Sequence, residues 1–350
     1  MTWIRKIFQK REVTAFVFLI VIFLIVGLRN SDFISSASVE TIMKGSVIYI
    51  LLALGMTFVL LTGGIDVSVG AVLGISAAVS ATMIRDGQSV WLAVLVAMAM
   101  GLFIGLINGF GVAVMRIPSI IMTLGVLGIT RGFMIVYTDG KWVENLPDSF
   151  KQLAQGQLGG INLYFLMVIL LVAVVQFFLS QHRKGKYFAA VGDNADGAVL
   201  VGINVKRVTL LAYVISSLCA AMAGILFTSQ VGFVTSNTGL DIEMMTIAAC
   251  VLGGVSLSGG TGSVVGASVG ALIMTTINSA LVFLKVPSFW NKTIQGSLLI
   301  AIVIADVLIQ KHFQEKARRE RLSARAQVMP KSETKEALKG QMNVLGGHQE

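Results

Sequence analysis

The chain has 350 residues, of which 55% are hydrophobic and only 13% charged, about half the charged share usual for a soluble protein. Much of its surface must therefore face lipid, which excludes the soluble globular classes. Its net charge of +9 does not point to nucleic acid, because the bases gather in short segments beside apolar runs, as in residues 311–325. That placement suits cytoplasmic retention and contact with anionic membrane lipid.

In chain order, Arg5, Lys6, Lys10 and Arg11 precede the first apolar run, 13–28. The charge places this end inside, and the run is expected to stay as a helix instead of being cleaved near Ser36-Ala37-Ser38. Further apolar runs fall at 44–62, 69–84, 91–115, 119–137, 162–180, 208–229, 244–258, 262–284 and 293–309. Several are shorter than the ~20 residues that a straight helix needs to cross the hydrocarbon, so broken or re-entrant segments are expected near the glycine clusters. The fold class is thus an all-α polytopic transmembrane helix bundle of about ten spans, with both N and C termini cytoplasmic.

The connections agree with that parity. Segment 181–208 carries Arg183, Lys184, Lys186, Lys206 and Arg207 and reads as cytoplasmic; 138–161 and 230–243 are poorer in bases and read as external. The expected organisation is a cytoplasmic N-terminus at 1–12, a membrane domain at 13–309 containing the cytoplasmic loop 181–208, and a basic cytoplasmic tail at 310–350.

Two stretches interrupt the apolar pattern. Leu61-Thr62-Gly63-Gly64-Ile65-Asp66-Val67-Ser68-Val69-Gly70 sets a glycine pair and a carboxylate between membrane-length runs. Glycines weaken a helix, and a buried Asp is costly unless it faces protein or water. Asp66 therefore either lies near a solute route or caps the next helix through the backbone N–H groups of Val67 to Val69. The second stretch, Gly253-Gly254-Val255-Ser256-Leu257-Ser258, echoes the first imperfectly and puts Ser256 where Asp66 stands, so that a bend in the bundle is the reading that fits both, with Asp66 chiefly a cap.

The remaining intramembrane polar residues are Asn108, Arg131, Asn278 and Asp306. Arg131 is expected to reach outward and Asp306 toward the cytoplasmic interface, while the asparagines bond neighbouring helices or, for Asn108, line the route. Glycines at every fourth position, Gly101, Gly105 and Gly109, then Gly262, Gly266 and Gly270, with Gly70 and Gly74 a shorter case, predict close helix packing.

Enzymatic signatures are missing. Gly140-Lys141 and Gly185-Lys186 lack the hydroxyl residue of a phosphate-binding loop, and His182, His312 and His348 accompany no nucleophile motif. Cys219 and Cys250 lie in apolar runs as small core residues, and no metal-ligand spacing exists. The chain is expected to bind no cofactor and hydrolyse nothing. Few paired membrane carboxylates argue against a proton relay, so the energy input is sought in loop 181–208, where Gly192-Asp193-Asn194 reads as a turn and a short helix beginning near Asn194 or Asp196 could meet a partner.

These blocks, in order, resemble the permease subunits of bacterial ATP-binding-cassette importers for ribose-type sugars and small polyols. The resemblance spans about 40–310 and is carried by the stretch 61–70, by Ile117-Pro118-Ser119, Thr123-Leu124-Gly125 and Arg131-Gly132, by Gly185-Lys186-Tyr187-Phe188-Ala189-Ala190-Val191-Gly192-Asp193-Asn194, by Gly202-Ile203-Asn204-Val205, and by residues 248–262. Gly140-Lys141-Trp142-Val143-Glu144-Asn145-Leu146-Pro147 is most similar to the autoinducer-2 import branch, with ribose or rhamnose carriers as neighbours. The resemblance implies an inner-membrane translocation subunit that pairs with a second, homologous permease, with cytoplasmic ATPase subunits that hold ATP-Mg, and with a periplasmic solute-binding protein. It carries Gly192, Asp193, Asn194, Ala195, Asp196 and Gly202 over as the contact with the ATPase. Gly63, Gly64, Asp66, Asn108, Gly253, Gly254 and Ser256 remain candidates for the route or for helix breaks. An ion-coupled carrier and a signal-sensing membrane protein are the competing classes.

Overall fold

The computed structural model describes residues 11–287 and scattered positions from 289 to 304. The tenth apolar run lies largely, and Asp306 and the basic tail wholly, outside the described residues. The chain divides into two compact units, 1–302 and 303–350, and all the elements named below belong to the first.

After α1 (Arg11–Arg29) and a short 3-10 turn come α2 (Ser36–Leu61), α3 (Val69–Arg85), α4 (Val90–Ala113) and α5 (Ser119–Tyr137). The next connection holds α6 (Asp148–Leu153) and a two-residue antiparallel pair, β1 (Gln157–Leu158) with β2 (Ile161–Asn162). Then follow α7 (Leu163–Gln181), α8 (Arg183–Asp193), α9 (Ala195–Leu200), α10 (Val205–Val231), α11 (Ile242–Leu252) and α12 (Val264–Phe283). Side-chain caps start many of them: Ser35, Ser89, Asn162, Asn204 and Ser263 each accept a backbone N–H three residues on, satisfying a donor that the helix itself cannot.

Among the described residues, six helices are long and apolar enough to cross a membrane: α2, α4, α5, α7, α10 and α12. Three apolar helices are shorter, namely Ala15–Arg29 within α1, α3 and α11. The apolar run 244–258 is not one continuous helix: α11 stops at Leu252 and the chain turns repeatedly before α12 begins at Val264, a break of the kind expected near the glycine clusters.

Helix α2 forms the buried centre, with 83% of its most apolar window inside the protein, whereas α7 buries only 17% of its own. A helix that is apolar all round and still largely exposed fits a lipid-facing position. Around α2 pack α10 and α12; α10 also lies along α3 and α4. The α4 glycine stripe meets α10, and a Cβ at Gly105 would sit 2.9 Å from Val214 Cα. Gly266 and Gly270 similarly abut the backbone of α11 near Ala249 and Gly253. Close packing is what this spacing does.

The connections sort to opposite ends. Segments 138–162 and 232–241 meet through paired Val143 and Val234 and through stacked Trp142 and Phe233. The basic connection between α7 and α10 instead reaches the far end of α2, at Leu61.

Candidate translocation and coupling site

Both glycine pairs end a helix in the same way. At α2, Gly63 adopts φ +79°, its N–H donates to Leu60 O, and Gly64 N–H reaches Val59 O at 3.1 Å. At α11, Gly254 adopts φ +88°, with bonds from Gly254 to Val251 and from Val255 to Cys250. These are Schellman turns, whose left-handed position favours glycine. The sequence echo is therefore one of local chemistry with a slip: the left-handed residue is the first glycine of one pair and the second of the other.

Past each turn a side chain closes a second, smaller turn. Asp66 Oδ1 accepts the N–H of Ser68 at 3.0 Å and its hydroxyl at 2.6 Å, and Ser256 Oγ accepts the N–H of Ser258 at 3.2 Å. Asp66 thus receives a backbone N–H within the expected range, but it is not the N-cap. Ser68 holds that position and makes no side-chain capping bond.

Tertiary structure adds partners no spacing reveals. Ser216 of α10 donates to Asp66 Oδ2 at 2.9 Å, and Asn108 of α4 donates through Nδ2 to Ser68 Oγ at 2.8 Å. Thr123 and Ser119 of α5 accept the N–H groups of Val67 and Ile65. Asp66, Ser68, Asn108 and Ser216 are all buried, so the candidate residues Asp66 and Asn108 meet in one buried network that ties the break to three helices. Ser256 donates its N–H to Thr261 O across its own loop.

The candidate coupling residues come to the same break. Gly192 and Asp193 are helical, in the last turn of α8, so the predicted Gly-Asp-Asn turn is displaced to Asn194, the single residue joining α8 to α9. Asn194 Oδ1 caps α9 by accepting Gly197 N–H at 2.8 Å. A Cβ on Gly192 would strike Leu61 O and come within 2.7 Å of Gly260 N, and Gly260 N–H itself donates to Leu61 O at 3.1 Å. The end of α2, the loop after α11 and the end of α8 thus converge on one point. Asp193, Asn194, Ala195, Asp196 and Gly202 are exposed, as are Val199, Leu200 and Val201 at 59%, 87% and 76%. A cleft of about 570 Å³ opens beside α9, lined in part by Arg116, Ala195, Asp196, Asn204 and Lys206.

Arg131 reaches toward the connection 232–241, its Nη1 donating to Thr238 O at 2.6 Å, and stays half-buried there. One polar residue behaves otherwise than the sequence suggested. Glu243, read as part of an external loop, is buried in the first turn of α11, facing Gly70 of α3. Only the short glycine spacing Gly70, Gly74 hinted at a close neighbour there.

Residues 38–303 match the family described as branched-chain amino acid transport system / permease component. The chain belongs to this family. It is 38% identical to the autoinducer 2 import system permease protein LsrC of Escherichia coli O157:H7 over 313 residues, covering 89% of this chain and 92% of that protein. The Shigella flexneri LsrC is 39% identical over the same length, with the same coverage. The LsrC of Photorhabdus luminescens is 39% identical over 303 residues, 87% of this chain and 92% of that one. No solved structure matches the chain significantly. As a family permease, this chain is a membrane transport subunit and not a catalyst.

Proposed function

We propose that the chain is the translocation subunit of an ATP-driven importer of the inner membrane, carrying autoinducer-2 as the LsrC relatives are named to do. Ten crossings with both termini cytoplasmic, a second permease beside it in the lipid, ATPase subunits holding ATP-Mg below and a solute-binding protein above complete the reading. The observation that carries the mechanism is the convergence at Gly192, where α8 abuts the α2 terminus and the loop after α11. Movement imposed on α9 by an ATPase would be transmitted by direct backbone contact to both helix breaks, and such two-state rearrangement is how packed elements gate a route. The exposed apolar run Val199, Leu200 and Val201 beside an open cleft supplies the surface for that contact.

In this reading Gly63, Gly64, Gly253 and Gly254 are hinges, and Asp66 with Asn108 holds one hinge to the bundle. Reconstitution tests it: uptake of autoinducer-2 into proteoliposomes should require both the ATPase and ATP. Uptake driven by a proton or sodium gradient without the ATPase would establish the secondary carrier instead, and ligand binding without uptake would establish the sensor. Ribose and rhamnose, delivered by their own binding proteins, test the neighbouring solute assignments.

A further inference from the structure

Glu243 and Arg131 are opposite charges at one junction, and each leaves a buried polar atom without a hydrogen-bond partner: Oε2 of Glu243 and Nε of Arg131. Glu243 is 8% exposed. Both lie over the same face of α3. A Cβ at Gly70 would run into the Glu243 carboxylate, and one at Gly74 would come 3.4 Å from Arg131 Nη1. Those glycines are four residues apart, about 6 Å along the axis, so the two side chains stand beside successive turns of α3. With Oε2 and Nε both unpartnered, the place between them suits one bridging hydroxyl. A hydroxyl is both acceptor and donor, so it can take a hydrogen bond from the guanidinium while giving one to the carboxylate.

The junction is near the surface at the end carrying segment 232–241. Arg131 is only partly buried, and Leu240, Asp241 and Met244, on either side of Glu243 in sequence, are exposed. The backbone of Thr238 and Gly239 closes over the α3 glycines, with Arg131 bonded to the Thr238 carbonyl. A modest shift of this segment would open the pair to an arriving solute.

We propose that Arg131 and Glu243 are specificity-determining residues that read a hydroxyl of a small neutral polyol as it enters the permease. The inference rests on the importer reading above. A site built around two buried polar atoms favours a solute that pairs both and rejects one that leaves them unpaired.

The test uses the complete importer, reconstituted with its permease and ATPase partners and with a ribose-binding protein to deliver the probes. D-ribose and 2-deoxy-D-ribose serve as probes, each at saturating loaded binding protein so that turnover reports the permease step. Glu243→Gln and Arg131→Lys should lower ribose turnover about tenfold relative to deoxyribose, while stimulation of ATP hydrolysis by loaded binding protein stays within about twofold. Equal loss for both sugars, with ATPase stimulation also lost, would make the pair structural and overturn the proposal; so would an unchanged preference. A wild-type importer that moves no solute with ATP would sink the importer reading and this inference with it. Active wild type with indifferent variants sinks the inference alone.

Discussion

Asp66 has two oxygens and three bonds, two to Ser68 and one to Ser216, and Ser68 in turn accepts from Asn108. Truncation leaves the Ser68 and Ser216 hydroxyls buried without their acceptor, at about 1–3 kcal/mol for each unsatisfied group. Asp66→Ala should therefore lower the thermal unfolding temperature of the purified permease and its expression. Asp66→Asn keeps an acceptor and the shape of the side chain, and Ser216 can turn its hydroxyl to accept from the new amide. Its uptake should stay within about threefold of wild type. Abolished uptake in a normally folded Asp66→Asn protein would give the negative charge a direct role in translocation.

Gly63 shows how a single residue governs an element. Its left-handed backbone permits the 6→1 bond from Gly64 to Val59, and an L side chain there costs about 1–2 kcal/mol. At α9 the decisive residue is Asn194, which ends one helix and caps the next. Asn194→Ala should weaken α9 by about 1 kcal/mol and reduce the stimulation of ATP hydrolysis by loaded binding protein, with membrane insertion intact. Unchanged coupled uptake at normal expression would remove this connection from the mechanism. Gly192→Ala should uncouple more severely, because its added methyl meets backbone at Leu61 and Gly260, which cannot rotate away. Uptake per ATP hydrolysed measures the difference.

At the scale of the molecule, stability comes from α2 buried among α10 and α12, and from α10 laid along the α4 glycines. In lipid, where apolar surface alone gives little reason for helices to associate, such close approach supplies the contact energy. Gly105→Leu should thus abolish the monodisperse peak in fluorescence-detected size exclusion, since its side chain would invade Val214 Cα and Tyr213 O. Gly128→Ala on α5 has nothing within 4 Å and should leave that peak unchanged. Collapse of both variants would mean that the α5 face is also packed in the purified protein.

Composition and runs of apolar residues were enough to specify a helical membrane protein, because a bilayer admits few other ways to satisfy a backbone. Glycine pairs showed where α2 and α11 end, and the cap at Asn194 was legible because capping is chemistry among neighbours in sequence. How short the break leaves α11 was not, because apolar composition continues past Leu252 to residue 258 and suggests a full crossing. Asp66 and Asn108 could each be singled out, but their meeting through Ser68, with Ser216 arriving from α10, depends on contacts 40 and 150 residues apart. For the same reason Glu243 read as a loop acid, and the bond from Arg131 to the Thr238 carbonyl was not legible. The sequence by itself determined the solvent the chain lives in and the places where its helices break; which polar groups those breaks bring together was decided by tertiary packing, since a side chain's burial is set by the helix that lies against it.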